Sequence, residues 1–360
     1  QEPRPPSPMS APDFVHLHVH SEYSLLDGAN RIKDMVKACN DDGQRALALT
    51  DHGNMYGAVE LYTECTRGGV KPLVGCEVYI AQRSMTERHS KKDGNGYNHL
   101  TLIARNETGF RNLSKLTSEA FVNGMHFRPR IDMELLSQHA EGISCLSGCL
   151  AGRINQLFLR DKQQEAEDMA IHLRDLFGPD HFWLELQRNG IEIQDKVNES
   201  LVRLNQRTGI PLVATNDIHY LRHEDCQAQD VLLCINTGAK KADEKRFRFE
   251  TDTLFFKTRA EMAHMFRDLP GSVTATMDVA EQVGFDFQFG TYHVPEFRPD
   301  TGESPDQLFD RLIGTGDIFE RGLRHVFRDR LGLGLAEVHQ AAAAALHLTE
   351  DEDHQHEVPM

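Results

Sequence analysis

Seven short apolar runs alternating with helical patterns constrain this chain more than any other feature. The runs are FVHLHVH (14–20), ALALTDH (46–52), PLVGCEVYIA (72–81), HLTLIA (99–104), GISCLSG (142–148), FWLELQ (182–187) and LVATNDIHY (212–220). After the first, Asn30 stands where an N-cap would, Ile32, Met35, Val36 and Cys39 follow at helical spacing, and Gly43 reads as a stop. Further helical patterns occupy roughly 56–67, 107–122, 151–176, 192–208 and 225–236. Such alternation predicts an α/β fold with a parallel sheet. Seven units within residues 13–290 suit a closed barrel better than an open sheet, and no Gly-x-Gly-x-x-Gly follows any strand.

The polar residues of these runs gather at their ends, where a barrel of parallel strands carries its functional groups. His16, His18 and His20 alternate with Val15, Leu17 and Val19, so a period of two sets all three imidazoles on one face. Asp27 lies in the next loop, Asp51 and His52 close the second run, Glu77 sits in the third, His99 opens the fourth, Cys149 lies just past the fifth, and Asp217 and His219 end the seventh. Imidazoles with carboxylates and one thiol form a donor set for Zn²⁺, Mn²⁺ or Fe²⁺, whereas a calcium cage is built from oxygen alone. This many donors exceeds what one ion uses, and Glu77 and Asp27 are suited to bridging. Paired ions of this kind acidify water and clamp both oxygens of a displacement at phosphorus, so phosphate ester hydrolysis is the expected chemistry.

Composition narrows the remaining classes. With 39 Lys plus Arg against 55 Asp plus Glu the net charge is −16, which argues against a surface built mainly to grip nucleic acid. A nuclease needs only a local basic groove, and Lys240, Lys241, Lys245, Arg246 and Arg248 after the last strand, with Arg83, Arg88, Lys91 and Lys92 after the third, are the available islands. The seven cysteines are scattered and never spaced C-x-x-C, which disfavours disulfides or a zinc knuckle. No apolar run reaches the roughly 20 residues of a membrane span, and no signal-peptide pattern opens the chain, so a cytoplasmic location is expected. Residues 1–12 hold five of the 14 prolines and read as a disordered leader. The segment 291–340 reads as a linker followed by a small helical extension over 305–335, and 341–360 as a disordered acidic tail.

The motifs HLHVHSEYSLLDGA, ALALTDHGNMYGAVELY, GVKPLVGCEVYIA, NHLTLIARNETGFRNL, LSGCLAG and VATNDIHYL resemble the polymerase and histidinol phosphatase (PHP) superfamily. They are most similar to the N-terminal PHP domain of bacterial DNA polymerase III alpha subunits. The resemblance covers about residues 13–290 and implies a distorted (β/α)7 PHP barrel with a short helical C-terminal extension. It also implies three divalent metal ions held by nine ligands. Carried over by position, these are His18, His20, Asp27, His52, Glu77, His99, Cys149, Asp217 and His219, with His18, His20, Asp217 and His219 at the catalytic core. Cys149 stands where phosphatase members use His, and His16 where many members place Asp. His16 and Asp51 are then expected to orient ligands.

The implied activity is a metal-dependent 3′–5′ exonuclease that proofreads DNA 3′ ends beside a polymerase III core or other replisome subunits. Alpha subunits are several times longer than this chain, and their polymerase motif lies beyond residue 360, so no nucleotide polymerisation is expected from it alone. Two alternatives share the resemblance. One is a phosphatase of small phosphomonoesters, which needs a closed pocket. The other is a non-catalytic module that docks polymerase or exonuclease subunits and keeps its metals for folding.

Overall fold

In the computed structural model the described residues are 11–25, 27–88, 96–291 and 300–314. The chain divides into two units, Gln1–Phe287 and Gln288–Met360. The first contains strands β1 (Ala46–Leu49), β2 (Lys71–Ala81), β3 (Tyr97–Ala104), β4 (Met125–His126), β5 (Arg128–Ile131), β6 (Ile143–Leu146), β7 (Phe182–Gln187) and β8 (Leu212–Thr215). Its helices are α1 (Ile32–Asp42), α2 (Ala58–Gly68), α3 (Glu107–Val122), α4 (Met133–Gln138), α5 (Arg153–Phe158), α6 (Gln163–Phe177), α7 (Glu192–Thr208), α8 (Cys226–Thr237), α9 (Arg259–Met265) and α10 (Pro270–Glu281). In the second unit the described residues include one helix, α11 (Pro305–Gly314), at the start of the expected extension. The expected leader, linker and tail lie mostly outside the described residues.

The strands close into a seven-membered ring of an α/β barrel. β1 pairs with β2, β2 with β3, β3 with β6, β6 with β7 and β7 with β8. The seventh member is the arm 14–20, which forms single parallel bridges, His16 to Leu47 and Val19 to Ile218. The arm therefore joins β1 to the segment following β8. Its carbonyls at His16 and His18 accept the N–H groups of Ala48 (3.0 Å) and Ile218 (3.1 Å). It is a closing staple of the barrel and not the regular strand its alternation predicts.

The sheet is mixed, which corrects the expected parallel sheet. β3 runs antiparallel to both β2 and β6. Among the described residues no helix separates β2 from β3, and β3 returns alongside β2 in the antiparallel direction of a direct reversal. The reversal explains how His99, at the beginning of its strand, reaches the same mouth as residues at the ends of the others.

The arm's alternation sends Val15 and Leu17 outward, into a buried cluster with Trp183, Val213 and the Ala275 and Val279 face of α10. A second cluster beneath α1 and α2 gathers Ile32, Met35, Val36 and Cys39, the face predicted for α1, with Leu61 and Val70. Gly43 ends α1 in the left-handed conformation (φ 72°), as expected, but Asn30 is not its cap. The Asn30 amide donates instead to the His20 carbonyl at 2.7 Å and ties the arm's end to the loop that carries Asp27. The helical pattern over 151–176 is divided between α5 and α6, because the chain turns between them with Asp161 at φ 57°. Among the described residues no helix is long and apolar enough to cross a membrane.

Candidate metal centre

Glu77 organises the site. It is 1% exposed, at the mouth end of the ring, and its two oxygens face five other donors. Oε1 lies 2.8 Å from His99 Nδ1, 3.3 Å from His18 Nε2 and 3.5 Å from Cys149 Sγ. Oε2 lies 2.6 Å from His52 Nδ1 and 3.7 Å from His20 Nε2. On the other side of the cluster, Asp217 Oδ1 is 3.4 Å from His18 Nε2, 3.3 Å from His20 Nε2 and 3.5 Å from His219 Nδ1. Asp27 Oδ2 reaches His52 Nε2 at 3.3 Å. All nine residues singled out from the sequence are thus brought into one connected cluster.

Hydrogen bonds fix the imidazoles so that three of them turn Nε2 inward. His18 Nδ1 donates to Glu185 Oε1 at 2.6 Å, and His219 Nδ1 donates to the Asp217 carbonyl at 2.9 Å. His20 Nδ1 meets Ser24 Oγ at 3.0 Å; that hydroxyl gives its own proton to Asp51 Oδ1 at 2.8 Å, so the imidazole is the donor. In the neutral rings this leaves the Nε2 lone pairs aimed into the cluster, the arrangement in which a carboxylate or carbonyl orients a metal-binding His. Asp217 itself has φ 53°, a strained value for a residue other than glycine.

The donor atoms fit divalent cations on a local observation. Seven buried polar atoms here make no well-directed hydrogen bond, although His52 Nδ1 and Glu77 Oε2 lie 2.6 Å apart as an ion pair: His18 Nε2, His20 Nε2, His219 Nε2, His52 Nδ1, Asp27 Oδ1, Glu77 Oε2 and Asp217 Oδ1. Each such atom costs about 1–3 kcal/mol when left unpaired, so a concentration of them in one place calls for a partner. They include members of three compact groups able to hold an ion: His20 with His52 and His219, His18 with His20 and Asp217, and His52 with Glu77 and His99.

The electrostatics favour positive charge at the centre. Burial alone would raise the carboxyls of Asp27, Glu77 and Asp217, yet the surrounding histidines hold all three below their ordinary range. Burial would lower His18 and His52, but Glu185, Asp217 and Glu77 lift the first and Asp27, Tyr79 and Glu77 the second. His20 is pushed down to about 3 by burial and by His52 and His219, and stays neutral. Burial, with Glu77 and Asp217, pushes the Cys149 thiol up, so without a cation it keeps its proton.

Glu185 is the residue sequence reading missed. It is buried on β7, holds His18, and accepts from Thr215 Oγ1 (2.6 Å), Gln187 Nε2 (3.0 Å) and the Gly148 N–H (3.0 Å). The signal was a lone charge inside the apolar run FWLELQ. Asp51 lies behind His20 through Ser24: its carboxylate accepts the Ser21 N–H, the Ser21 hydroxyl and the Ser24 hydroxyl, and burial raises its pKa. His16 faces elsewhere, with Nε2 2.7 Å from the Lys257 carbonyl and its ring between Phe14 and Phe256.

The cluster opens into a pocket of about 330 Å³ bordered by Cys149, Asn189, Phe247, Phe249 and Thr251. The last four of these also line an adjoining cleft of about 1270 Å³, together with Arg246 and Arg248. Arg246 forks onto Asp230 at 2.5 and 2.7 Å, and Lys241 Nζ reaches Gln227 Oε1 at 2.9 Å, while Lys240, Lys245 and Arg248 are exposed. In the loop after β2, Arg83 lies 3.9 Å from Glu87 and Arg88 is exposed; Lys91 and Lys92 lie outside the described residues.

Residues 16–189 match the PHP domain family. The chain is 47% identical over 274 residues to the DNA polymerase III subunit alpha of Treponema pallidum (strain Nichols), covering 76% of this chain and 23% of that protein. It is 40% identical over 313 residues to the same subunit of Thermus aquaticus, covering 84% of this chain and 26% of that one. The chain thus spans about a quarter of the length of these relatives. Among solved structures, one described as a "putative metal-dependent phosphoesterase" from Bifidobacterium adolescentis aligns at 15% identity over 73% of this chain and 98% of its own, with a TM-score of 0.36. Residues 16–189 are a PHP domain, and the region around them is related to the N-terminal part of the DNA polymerase III alpha subunit.

Proposed function

We propose that this barrel is a metal-dependent phosphodiesterase that removes nucleotides from DNA 3′ ends, a 3′–5′ exonuclease serving proofreading beside a polymerase III core. The observation that supports it is the convergence of nine donors, with buried atoms that make no well-directed hydrogen bond, at the floor of a pocket that widens into an open cleft. In this reading three divalent ions, drawn from Zn²⁺, Mn²⁺ and Fe²⁺, would be held by His18, His20, Asp27, His52, Glu77, His99, Cys149, Asp217 and His219, which include the three compact groups. Bound there, such ions supply Lewis-acid charge and an acidified water.

The chain's own groups have separate tasks. Glu185 and Ser24 keep the Nδ1 protons of His18 and His20 engaged, so that both rings present Nε2 to the ions. His219 and Asp217 stand on the pocket side of the cluster, where the scissile phosphate would enter. Lys240, Lys245 and Arg248, exposed on the loop after α8, would meet the strand's phosphates as it leaves the pocket, with Lys241 and the Asp230-paired Arg246 beside them. Phe247 and Phe249 line both the pocket and the cleft, where bases of the strand would meet their rings. A small phosphomonoester would leave the wide cleft unused, which favours a polymeric substrate.

The test is an end-labelled primer–template with a mismatched 3′ terminus, incubated with Mn²⁺ or Zn²⁺, with chelator, and with the His18→Ala variant. Stepwise shortening from the 3′ end should be abolished by chelator and fall by at least about 100-fold in the variant, beyond the loss typical of an outer partner of a metal ligand. A primer left intact by the parent under every metal would refute the reading in favour of a docking module.

A further inference from the structure

A second recess adjoins the metal centre. It has a volume of about 270 Å³ and is lined by Tyr56, Tyr79, Phe121, Phe127 and Arg128, with Asp27 and His52 in its wall. Two of the metal-ligand candidates are therefore also walls of an aromatic chamber. The Tyr79 ring stacks on His52 with centroids 6.1 Å apart, and the Arg128 guanidinium lies 5.8 Å from the Tyr79 centroid.

The rim of this recess is built at a cost. β4 and β5 pair His126 with Arg128, so a single residue, Phe127, makes the turn between them. It does so at φ 62°, a backbone region that a bulky side chain rarely occupies. The result is that Phe127 is 71% exposed on the recess it shares with Tyr56, which is 58% exposed. A strained backbone that presents an aromatic ring to water next to a reaction centre is a device for contact with a ligand.

We infer that this recess is a base-binding subsite: it receives a nucleobase at the 3′ end of the substrate strand, stacked on Phe127 and Tyr56 with Arg128 facing its phosphate. The proposal rests on the exonuclease reading and specifies its substrate. The volume is below the roughly 300–1,000 Å³ of sites for drug-sized ligands, so it suits a single nucleotide and not a duplex. Every base offers a π-face, so stacking here is tolerant of sequence, as trimming of arbitrary ends requires. A flat base fits between rings, and a guanidinium beside an aromatic ring suits a phosphate attached to a stacked base.

The experiment uses the full chain with Mn²⁺ and a single-stranded oligonucleotide carrying 2-aminopurine at its 3′ end and an uncleavable terminal linkage. A matched oligonucleotide has an abasic 3′ residue. The parent should quench 2-aminopurine fluorescence and bind the base-bearing end more tightly than the abasic one. Phe127→Gly removes the ring while accepting the positive φ, and Tyr56→Ala changes an exposed side chain, so neither should disturb folding. Each should weaken binding of the base-bearing end by roughly 5- to 100-fold and reduce quenching, with little change for the abasic end. Equal binding of the two ends by the parent, or variants that leave their ratio unchanged, would overturn the subsite and leave the aromatic rim as a protein-docking face. Binding is read separately from cleavage. A parent that hydrolyses nothing yet shows base-dependent quenching lost in both variants would refute the exonuclease and keep the subsite.

Discussion

Replacing Glu185 with Gln removes one charge and almost no volume, and the structure gives the cost. Oε1 accepts from three donors, His18 Nδ1 at 2.6 Å, Thr215 Oγ1 at 2.6 Å and Gln187 Nε2 at 3.0 Å, so the amide oxygen of Gln must take that place. The amide nitrogen then falls where Oε2 now accepts the Gly148 N–H at 3.0 Å and Thr101 Oγ1 at 3.4 Å. The Thr101 hydroxyl can rotate and accept, but the Gly148 N–H is fixed backbone and meets another donor. One orphaned buried N–H costs about 1–3 kcal/mol, and weakening the charge-assisted bond to His18 adds about 1 kcal/mol, so a total of about 2–4 kcal/mol is expected. For a domain of this size that lowers Tm by about 3–7 °C. Because His18 also loses its orienting partner, metal affinity should fall roughly 10- to 100-fold. Thermal denaturation of the chelated protein reads the first effect, and chelator competition reads the second. A variant with the parent's metal affinity would show that Glu185 only fills space and would refute the orienting role.

Two further outcomes follow from the same geometry. A Cβ at Gly28 would lie 2.0 Å from the Ser21 carbonyl oxygen, so Gly28→Ala must displace the loop that carries Ser24 and Asp27. It should cost about 1–3 kcal/mol and weaken metal binding, whereas Gly271→Ala, with open space around it, should leave both unchanged in the same chelator competition. The metal-free protein should also be most stable near pH 6.5, because His16 and His20, both pushed down to about 3 by burial, take up protons only on unfolding and so cost stability as pH falls below 6.5. The depressed carboxyls of Asp27 and Asp217 contribute fully above their ordinary value of 3.8 and lose that contribution as pH falls through their lower folded values. The raised His18 and His52 contribute fully below 6.5 and lose it as pH rises through their higher folded values. Urea unfolding of the chelated protein across pH 3–9 checks this, and stability that keeps rising above pH 8 would contradict it.

All nine donors were legible in the sequence because each stands in or just beyond an apolar run, and polar groups at strand ends face a barrel's mouth whatever the details of the ring. Glu185 was not, because its run is buried on both faces and period-two reasoning cannot say which way one charge in it points. The aromatic recess was equally hidden. Tyr56, Tyr79, Phe121 and Phe127 lie on four separate elements, and the β4–β5 turn that lifts Phe127 has only a two-residue strand to announce it.

The sequence by itself determined six of the seven predicted strands, the main helices and the donor chemistry, since these depend on periodicities and side-chain identities that local physics reads directly. Only the tertiary structure decided that the arm is a staple between β1 and the segment after β8, that β3 runs backward and so carries His99 to the common mouth, and that Arg246 is committed to Asp230. Strand direction, ring closure and ion pairing depend on which distant segments meet. That is settled by the packing of the whole barrel and leaves no local pattern in the chain.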